Sequence, residues 1–192
     1  NMSELISSYE RWVKATENLN IRRGEVKLEQ DNVHCENPIS DYRSHLDKCG
    51  YGKSVLDVGC GTMYLKRQLS KDVEYIGIDA FPIYGTNAIE LAIEEDEVTN
   101  LSADTVCAFA ILDNCRDFFK AVQNMKAIAK KNIIILTGIG IDPDKYHTLR
   151  LEMEHFDKAF SDWNQTHKEK IAPKVYLLSY ERPESYRYNT VL

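Results

Sequence analysis

Ser54-Val55-Leu56-Asp57-Val58-Gly59-Cys60-Gly61-Thr62-Met63-Tyr64-Leu65 decides the fold. Val55, Leu56 and Val58 form a short apolar run, which reads as a buried strand. Gly59 and Gly61 make a tight turn, and a helix is expected from Thr62 to Leu69. Strand, glycine turn and helix form the opening unit of an open α/β sheet. Such a unit brings backbone N–H groups and a positive helix end to the carboxyl edge of a strand, where ligands bind. Glycine matters there because a ligand can press on the backbone only where side chains are absent.

Two further stretches follow in register with this one. Tyr75-Ile76-Gly77-Ile78-Asp79 is an apolar run ending in an acid, read as the second strand over Tyr75 to Ile78. Asp79 stands twenty positions after Gly59, a separation suited to accepting hydrogen bonds from ribose hydroxyls. Glu94-Glu95-Asp96 forms an acidic turn before Thr105 to Ala110, the expected fourth strand, which is followed by Ile111-Leu112-Asp113-Asn114. A dinucleotide fingerprint would need glycine at position 64, where this chain has Tyr64. That disfavours a nicotinamide oxidoreductase.

Asp57-Val58-Gly59-Cys60-Gly61-Thr62 resembles the D/E-x-G-x-G motif of the class I S-adenosylmethionine (SAM) dependent methyltransferases. Met63 stands where that family often carries glycine. The likeness runs in order from about Ser54 to Thr137. It implies that Asp57 lies near the amino group of the cofactor's methionine part and Asp79 at the ribose. It implies also that Glu94 and Glu95 approach the adenine amino group, with Gly59, Cys60, Gly61, Ala80, Phe81 and Ala110 as further cofactor contacts. Phe81 and Ile83 suit the flanks of an adenine ring, and ordinary loop packing fits them equally well. The implied fold is Rossmann-like α/β: a mainly parallel seven-stranded sheet with helices on both faces, an antiparallel last strand and an N-terminal helical cap. Residues 1–50 are read as the cap and its loop, and 51–192 as the cofactor-binding domain.

The flanks fill in the rest. Ser3 to Ala15 places Leu5, Ile6, Tyr9, Trp12 and Val13 at helical spacing. The resemblance makes this helix a lid over the cofactor, while an ordinary core-covering helix fits the pattern equally well. Asn18 to Glu36 is polar and reads as loop, and Pro38 to Cys49 as a helix. Asn114 to Lys131 carries a helical stripe, and Asn132 to Thr137 is a continuous apolar run, as buried parallel strands are. From Pro143 to Trp163 the residues Tyr146, Leu149, Met153, Phe156, Phe160 and Trp163 form one helical stripe. That stripe would pack on the sheet or serve as a seam in a homodimer. Lys174 to Tyr180 and Tyr186 to Val191 read as a closing hairpin.

Composition bounds the function. The chain has 192 residues, 43% hydrophobic and 28% charged, with a formal net charge of −6. This suits one ordinary globular domain and argues against phosphate-backbone binding. The amino-group DNA methylation signature N-P-P-Y and the Pro-Cys nucleophile of cytosine methylation are both missing. A small molecule or a compact protein side chain is therefore the expected methyl acceptor, rather than nucleic acid. The five cysteines contain no C-x-x-C pair, and His34 beside Cys35 is no metal-ligand set, so no metal is expected. No signal peptide or membrane-length apolar run is visible, and a cytoplasmic location is the expectation. Asp113 and His147 are the candidate catalytic bases, with Tyr84 a lesser third. Tyr176, Tyr180, Tyr186 and Tyr188 could wall the acceptor or simply be good strand residues. A non-catalytic sensor, or an activating subunit of a partner methyltransferase, is the competing function.

Overall fold

The computed structural model describes residues 5–24 and 37–185. Helix α1 (Tyr9–Gly24) and helix α2 (Tyr42–Cys49) precede strand β1 (Ser54–Val58). Helix α3 (Tyr64–Gln68) leads to β2 (Glu74–Asp79), the two-residue β3 (Ile89–Glu90) and β4 (Ala103–Phe109). Helix α4 (Phe118–Ile128) runs directly into β5 (Ala129–Gly138). A short α5 (Met153–Ala159) and the strands β6 (Asn164–Ala172) and β7 (Val175–Glu181) complete the chain.

The seven strands lie in the order β3-β2-β1-β4-β5-β7-β6. The first five in that row are parallel, and β7 pairs antiparallel with both β5 and β6. The chain leaves β1 toward β2 on one side and returns to β4 on the other. That reversal opens a crevice at the carboxyl ends of β1 and β4. Val58 pairs with Ile78 and with Ala108, and Phe109 with Leu136, so the residues after these strands share one edge.

Alternation along the strands divides the core into two layers. Leu56, Val58, Val106, Ala108, Ile133 and Ile135 face α4 and α5, where Phe118, Met125, Ile128 and Phe156 are wholly buried. Val55, Cys107, Phe109, Ile134 and Leu136 face the other way, onto Leu46 of α2 and Leu65 of α3.

Several boundaries differ from the sequence expectation. Helix α1 starts at Tyr9, not Ser3, because residues 5–8 are held extended instead. Ile6 bridges Asp117, Ser7 N–H donates to Arg116 O (2.7 Å), and Phe118 N–H donates to Leu5 O (3.2 Å). It then runs on through Gly24, into the segment expected to be loop. Helix α2 begins at Tyr42 because the Asp41 side chain caps it, accepting from Ser44 N–H at 3.1 Å. Helix α4 begins at Phe118, not Asn114, because Asp117 caps it by accepting from Lys120 N–H (3.1 Å).

The largest difference is the stripe after β5. Only Met153–Ala159 of the expected Pro143–Trp163 helix is helical. Residues 142–152 instead form an ordered loop, because Thr148 and Leu149 spend their N–H groups on Asp113 O (2.9 and 3.0 Å). The helix starts where Glu152 and His155 form a reciprocal capping box. Leu149, Phe156, Phe160 and Trp163 are nonetheless all buried, so the apolar pattern marked the core correctly but not its backbone. Strand β7 pairs with Asn164–Ala172, a segment for which no strand was expected. Residues 186–192, and His34 and Cys35, lie outside the described residues.

Candidate functional site

The carboxyl edge of the sheet is built around Asp79. Its Oδ2 accepts from Gly61 N–H (3.0 Å) and its Oδ1 from Phe81 N–H (2.9 Å). One side chain therefore ties the glycine turn after β1 to the turn after β2. A carboxylate offers about four acceptor positions, so two remain for a ligand's hydroxyls. Asp79 is 7% exposed and lines a crevice with Val58, Gly59 and Ala80.

The turn needs glycine for two reasons. Gly59 and Gly61 have φ of +65° and +50°, in the left-handed region. A Cβ on Gly59 would also lie 2.3 Å from Ile111 Cδ1. Met63 takes φ +59° at the start of α3. That conformation is costly for a side chain, and it is held there by burial, with Met63 only 7% exposed.

The acidic turn closes the far side of the crevice. Leu91, Ile93 and Glu94 line it. Glu94 Oε1 accepts from Arg116 N–H (2.6 Å) and Asp117 N–H (3.3 Å), and Glu95 Oε2 from Ala92 N–H (2.8 Å). Burial pushes the Glu94 carboxyl above its ordinary range, against the amides that favour its ionised form. Asn124 of α4 fastens the turn by donating to Ile93 O (2.8 Å) and Glu95 O (3.2 Å). Sequence reading missed Asn124, which sits unmarked within an apolar helical stripe.

Asp57 lies elsewhere. It shares the opposite sheet face with Val55, and its Oδ2 accepts from the Tyr75 hydroxyl at 2.6 Å. Asp57 does not line the crevice, and nor do Cys60, Gly61, Phe81, Glu95, Ala110, Asp113 and His147. Cys60 is buried, its thiol pushed up to about 12 by desolvation and then by the charges of Asp57 and Asp79. Ala110 takes φ +58° as the chain turns off β4. Phe81 packs on Trp12 of α1, ring centroids 5.2 Å apart.

Asn114 supplies a feature the sequence did not reveal. It lines the crevice, it is 8% exposed, and its Oδ1 has no hydrogen-bond partner. A buried carbonyl oxygen left unpaired is costly and marks a place where a donor belongs. The crevice itself holds only about 50 Å³ as it stands, because Trp12, Thr16 and Leu19 of α1 line it from above. A second, wider cavity of about 530 Å³ lies between residues 5–11 and the loop that follows β5.

The two residues expected to act as bases come together. His147 Nε2 lies 3.6 Å from Asp113 Oδ2, and His147 sits on the ordered loop, not on a helix. Burial raises the Asp113 carboxyl above its ordinary range, while the facing His147 pulls it down. Tyr84 is fully exposed and Tyr180 is core, stacked on Phe160 at 3.8 Å. Among the described residues no group of three His, Cys, Asp or Glu side chains converges as a metal site would. No helix there is long and apolar enough to cross a membrane.

No protein-family model and no curated protein matches the sequence. Solved structures do match in shape. One is the 1,6-didemethyltoxoflavin-N1-methyltransferase of Burkholderia thailandensis with bound 1,6-didemethyltoxoflavin and S-adenosylhomocysteine. It is 11% identical, with a TM-score of 0.61 over 92% of this chain and 89% of that one. The magnesium protoporphyrin IX methyltransferase (ChlM) of Synechocystis PCC 6803 with bound SAM is 11% identical, with a TM-score of 0.63 over 92% and 99%. A SAM dependent methyltransferase from Aquifex aeolicus is 13% identical, with a TM-score of 0.63 over 85% and 98%. Strand order, the glycine turn after β1 and these likenesses together give the chain the fold of the class I SAM-dependent methyltransferases.

Proposed function

We propose that this protein binds SAM and transfers its methyl group to a small molecule or a compact protein side chain. The observation that carries the reading is the crevice between Gly59, Asp79 and Asn114. It offers a side-chain-free turn, a carboxylate with acceptor positions to spare, and a buried carbonyl oxygen lacking a donor. These fit a ribose and its flanking polar groups, and Leu91 and Ile93 fit a flat base. The neighbours solved with SAM or S-adenosylhomocysteine support the same cofactor. The volume fits only when α1 shifts, because drug-sized ligands need roughly 300–1,000 Å³ and about 50 Å³ is open.

The bound cofactor would supply an activated methyl on a sulfonium, with a neutral thioether as leaving group. The chain's own work is then to hold and align, which can lower a barrier by about 7–11 kcal/mol. Asp79 and Asn114 orient the nucleoside. Asp57 acts indirectly, keeping β1 and β2 together through Tyr75. The cavity of about 530 Å³, walled by Thr148 and Leu149 of the loop that carries His147, is the proposed acceptor site. His147, which adjoins the cavity-lining Thr148 and faces Asp113 beside the crevice-lining Asn114, receives the acceptor's proton.

Incubation with methyl-labelled SAM and a fractionated metabolite extract tests the reading. Label should appear in a discrete small molecule, and its appearance should fail in Asp79→Ala. Label that stays with SAM across all fractions and across peptide substrates would contradict it.

A further inference from the structure

We propose that Asp144 is a positioning residue that fixes the tautomer of His147, and that the site is therefore built for an acceptor that must lose a proton. The second half rests on the methyl-transfer reading and the first does not.

The geometry is specific. Asp144 Oδ1 collects three donors: Tyr146 N–H (2.7 Å), His147 N–H (2.8 Å) and His147 Nδ1 (2.8 Å). Asp144 N–H returns a bond to His147 O at 3.0 Å. An ionised carboxylate only accepts, so Nδ1 must carry the hydrogen. The neutral ring then has its lone pair on Nε2, the nitrogen that faces Asp113 Oδ2 at 3.6 Å. That separation is too long for a direct hydrogen bond.

The loop is held so that this orientation persists. Thr148 and Leu149 donate their N–H groups to Asp113 O, and the Thr148 hydroxyl donates to Cys115 O at 2.6 Å. Asn18 of α1 donates to Lys145 O at 2.9 Å. The charged groups facing the imidazole are Asp113, from the turn after β4, and Asp144, from its own loop. The neighbouring Lys145 amine turns away onto the Tyr146 ring (4.9 Å).

An imidazole presented this way is set to receive a proton. The acceptor's X–H bond breaks, the proton goes to the Nε2 lone pair, and X keeps the electron pair it needs to attack carbon. The resulting imidazolium lies between two carboxylates, which stabilise it. A thioether or tertiary amine has no such proton and gains nothing from this arrangement. An alcohol, a phenol or an ammonium group does.

Long-range ¹H–¹⁵N correlation of the histidine rings tests the tautomer without cofactor or acceptor. His147→Gln assigns the signals among the five histidines. Wild type should carry its hydrogen on Nδ1. Asp144→Ala should move it to Nε2, and Asp144→Asn, whose amide oxygen still accepts, should keep the wild-type pattern. Once an acceptor is turned over, Asp144→Ala should lower kcat about tenfold or more with little change in KM, and Asp144→Asn should recover most of it. Hydrogen on Nε2 in the wild type, or an unchanged tautomer in Asp144→Ala, would overturn the assignment to Asp144. Wild type with hydrogen on Nδ1 that fails to bind SAM would contradict the methyl-transfer reading and leave Asp144's role standing.

Discussion

Asp113 and Met63 are both held in states that cost stability, for different reasons. Asp113 is 5% exposed, and burial raises its carboxyl above the ordinary range, with His147 opposing. A group raised in the folded state contributes stability that is full below the ordinary carboxylate range and is lost as pH rises through the raised value. Asp113→Asn removes that titration. The two proteins should therefore have nearly equal stability below about pH 4. The variant should become the more stable one toward neutrality, while losing methyl transfer. Urea unfolding across the pH range checks this, and a difference independent of pH would refute it. At Met63, relief of the left-handed backbone by glycine is worth about 1–2 kcal/mol, while deleting a buried methionine side chain costs about 2–5 kcal/mol. Packing wins, so Met63→Gly should destabilise by about 1–3 kcal/mol in a denaturant titration, despite restoring the residue the resemblance leads one to expect. At this scale the sequence was partly legible. Gly59, Asp79 and Glu94 were singled out by residue type and spacing, and all three line the crevice. Asp57 has the right type at the right spacing, yet strand alternation turns it to the other face. Asn114 was legible only as part of the stretch after the fourth strand, and Asn124 not at all, because what each side chain does depends on contacts made across the fold.

Among the elements, α1 decides access. It is fastened by Ser7, just before the helix, donating to Arg116 O, and by Asn18, within the stretch that lines the crevice, donating to Lys145 O. Trp12, between them, packs on Phe81 and lines the crevice. Binding a nucleoside cofactor must therefore displace Trp12. The chain has two tryptophans, and Trp163 is buried against Phe160, with ring centroids 6.3 Å apart. In Trp163→Phe, whose fluorescence comes from Trp12 alone, SAM should shift the emission. In Trp12→Phe the emission should stay nearly constant. An unresponsive Trp12 would mean that α1 stays in place. Sequence periodicity found α1, α4 and the strands whose apolar runs are long. It failed for β6, which alternates charged and polar residues at the sheet edge (Lys168, Glu169, Lys170) as edge strands do. It failed for the loop after β5, whose apolar residues reach the core without a helix between Pro143 and Glu152.

For the molecule as a whole, the order of strands is the functional statement. Parallel strands in the order β3-β2-β1-β4-β5 bring the turns after β1, β2 and β4 to one edge. The loop after β5 is held against the turn after β4 by the Thr148 and Leu149 N–H bonds to Asp113 O, which bring His147 to Asp113. Fold class was legible because four apolar runs and one glycine turn determine it together. The Asp113–His147 pair was legible only as two separate residues, since nothing in the sequence reports that positions 113 and 147 meet. Calorimetric titration with SAM and with its demethylated product, on wild type and on Asp79→Ala, tests whether the crevice at Asp79 holds the cofactor. Saturable binding is expected in the wild type. Binding should weaken by about 1–3 kcal/mol in the variant as charge-assisted bonds are lost, with its fold intact by circular dichroism. Absence of binding in the wild type, or equal affinity in a folded Asp79→Ala, would rule out SAM binding at Asp79.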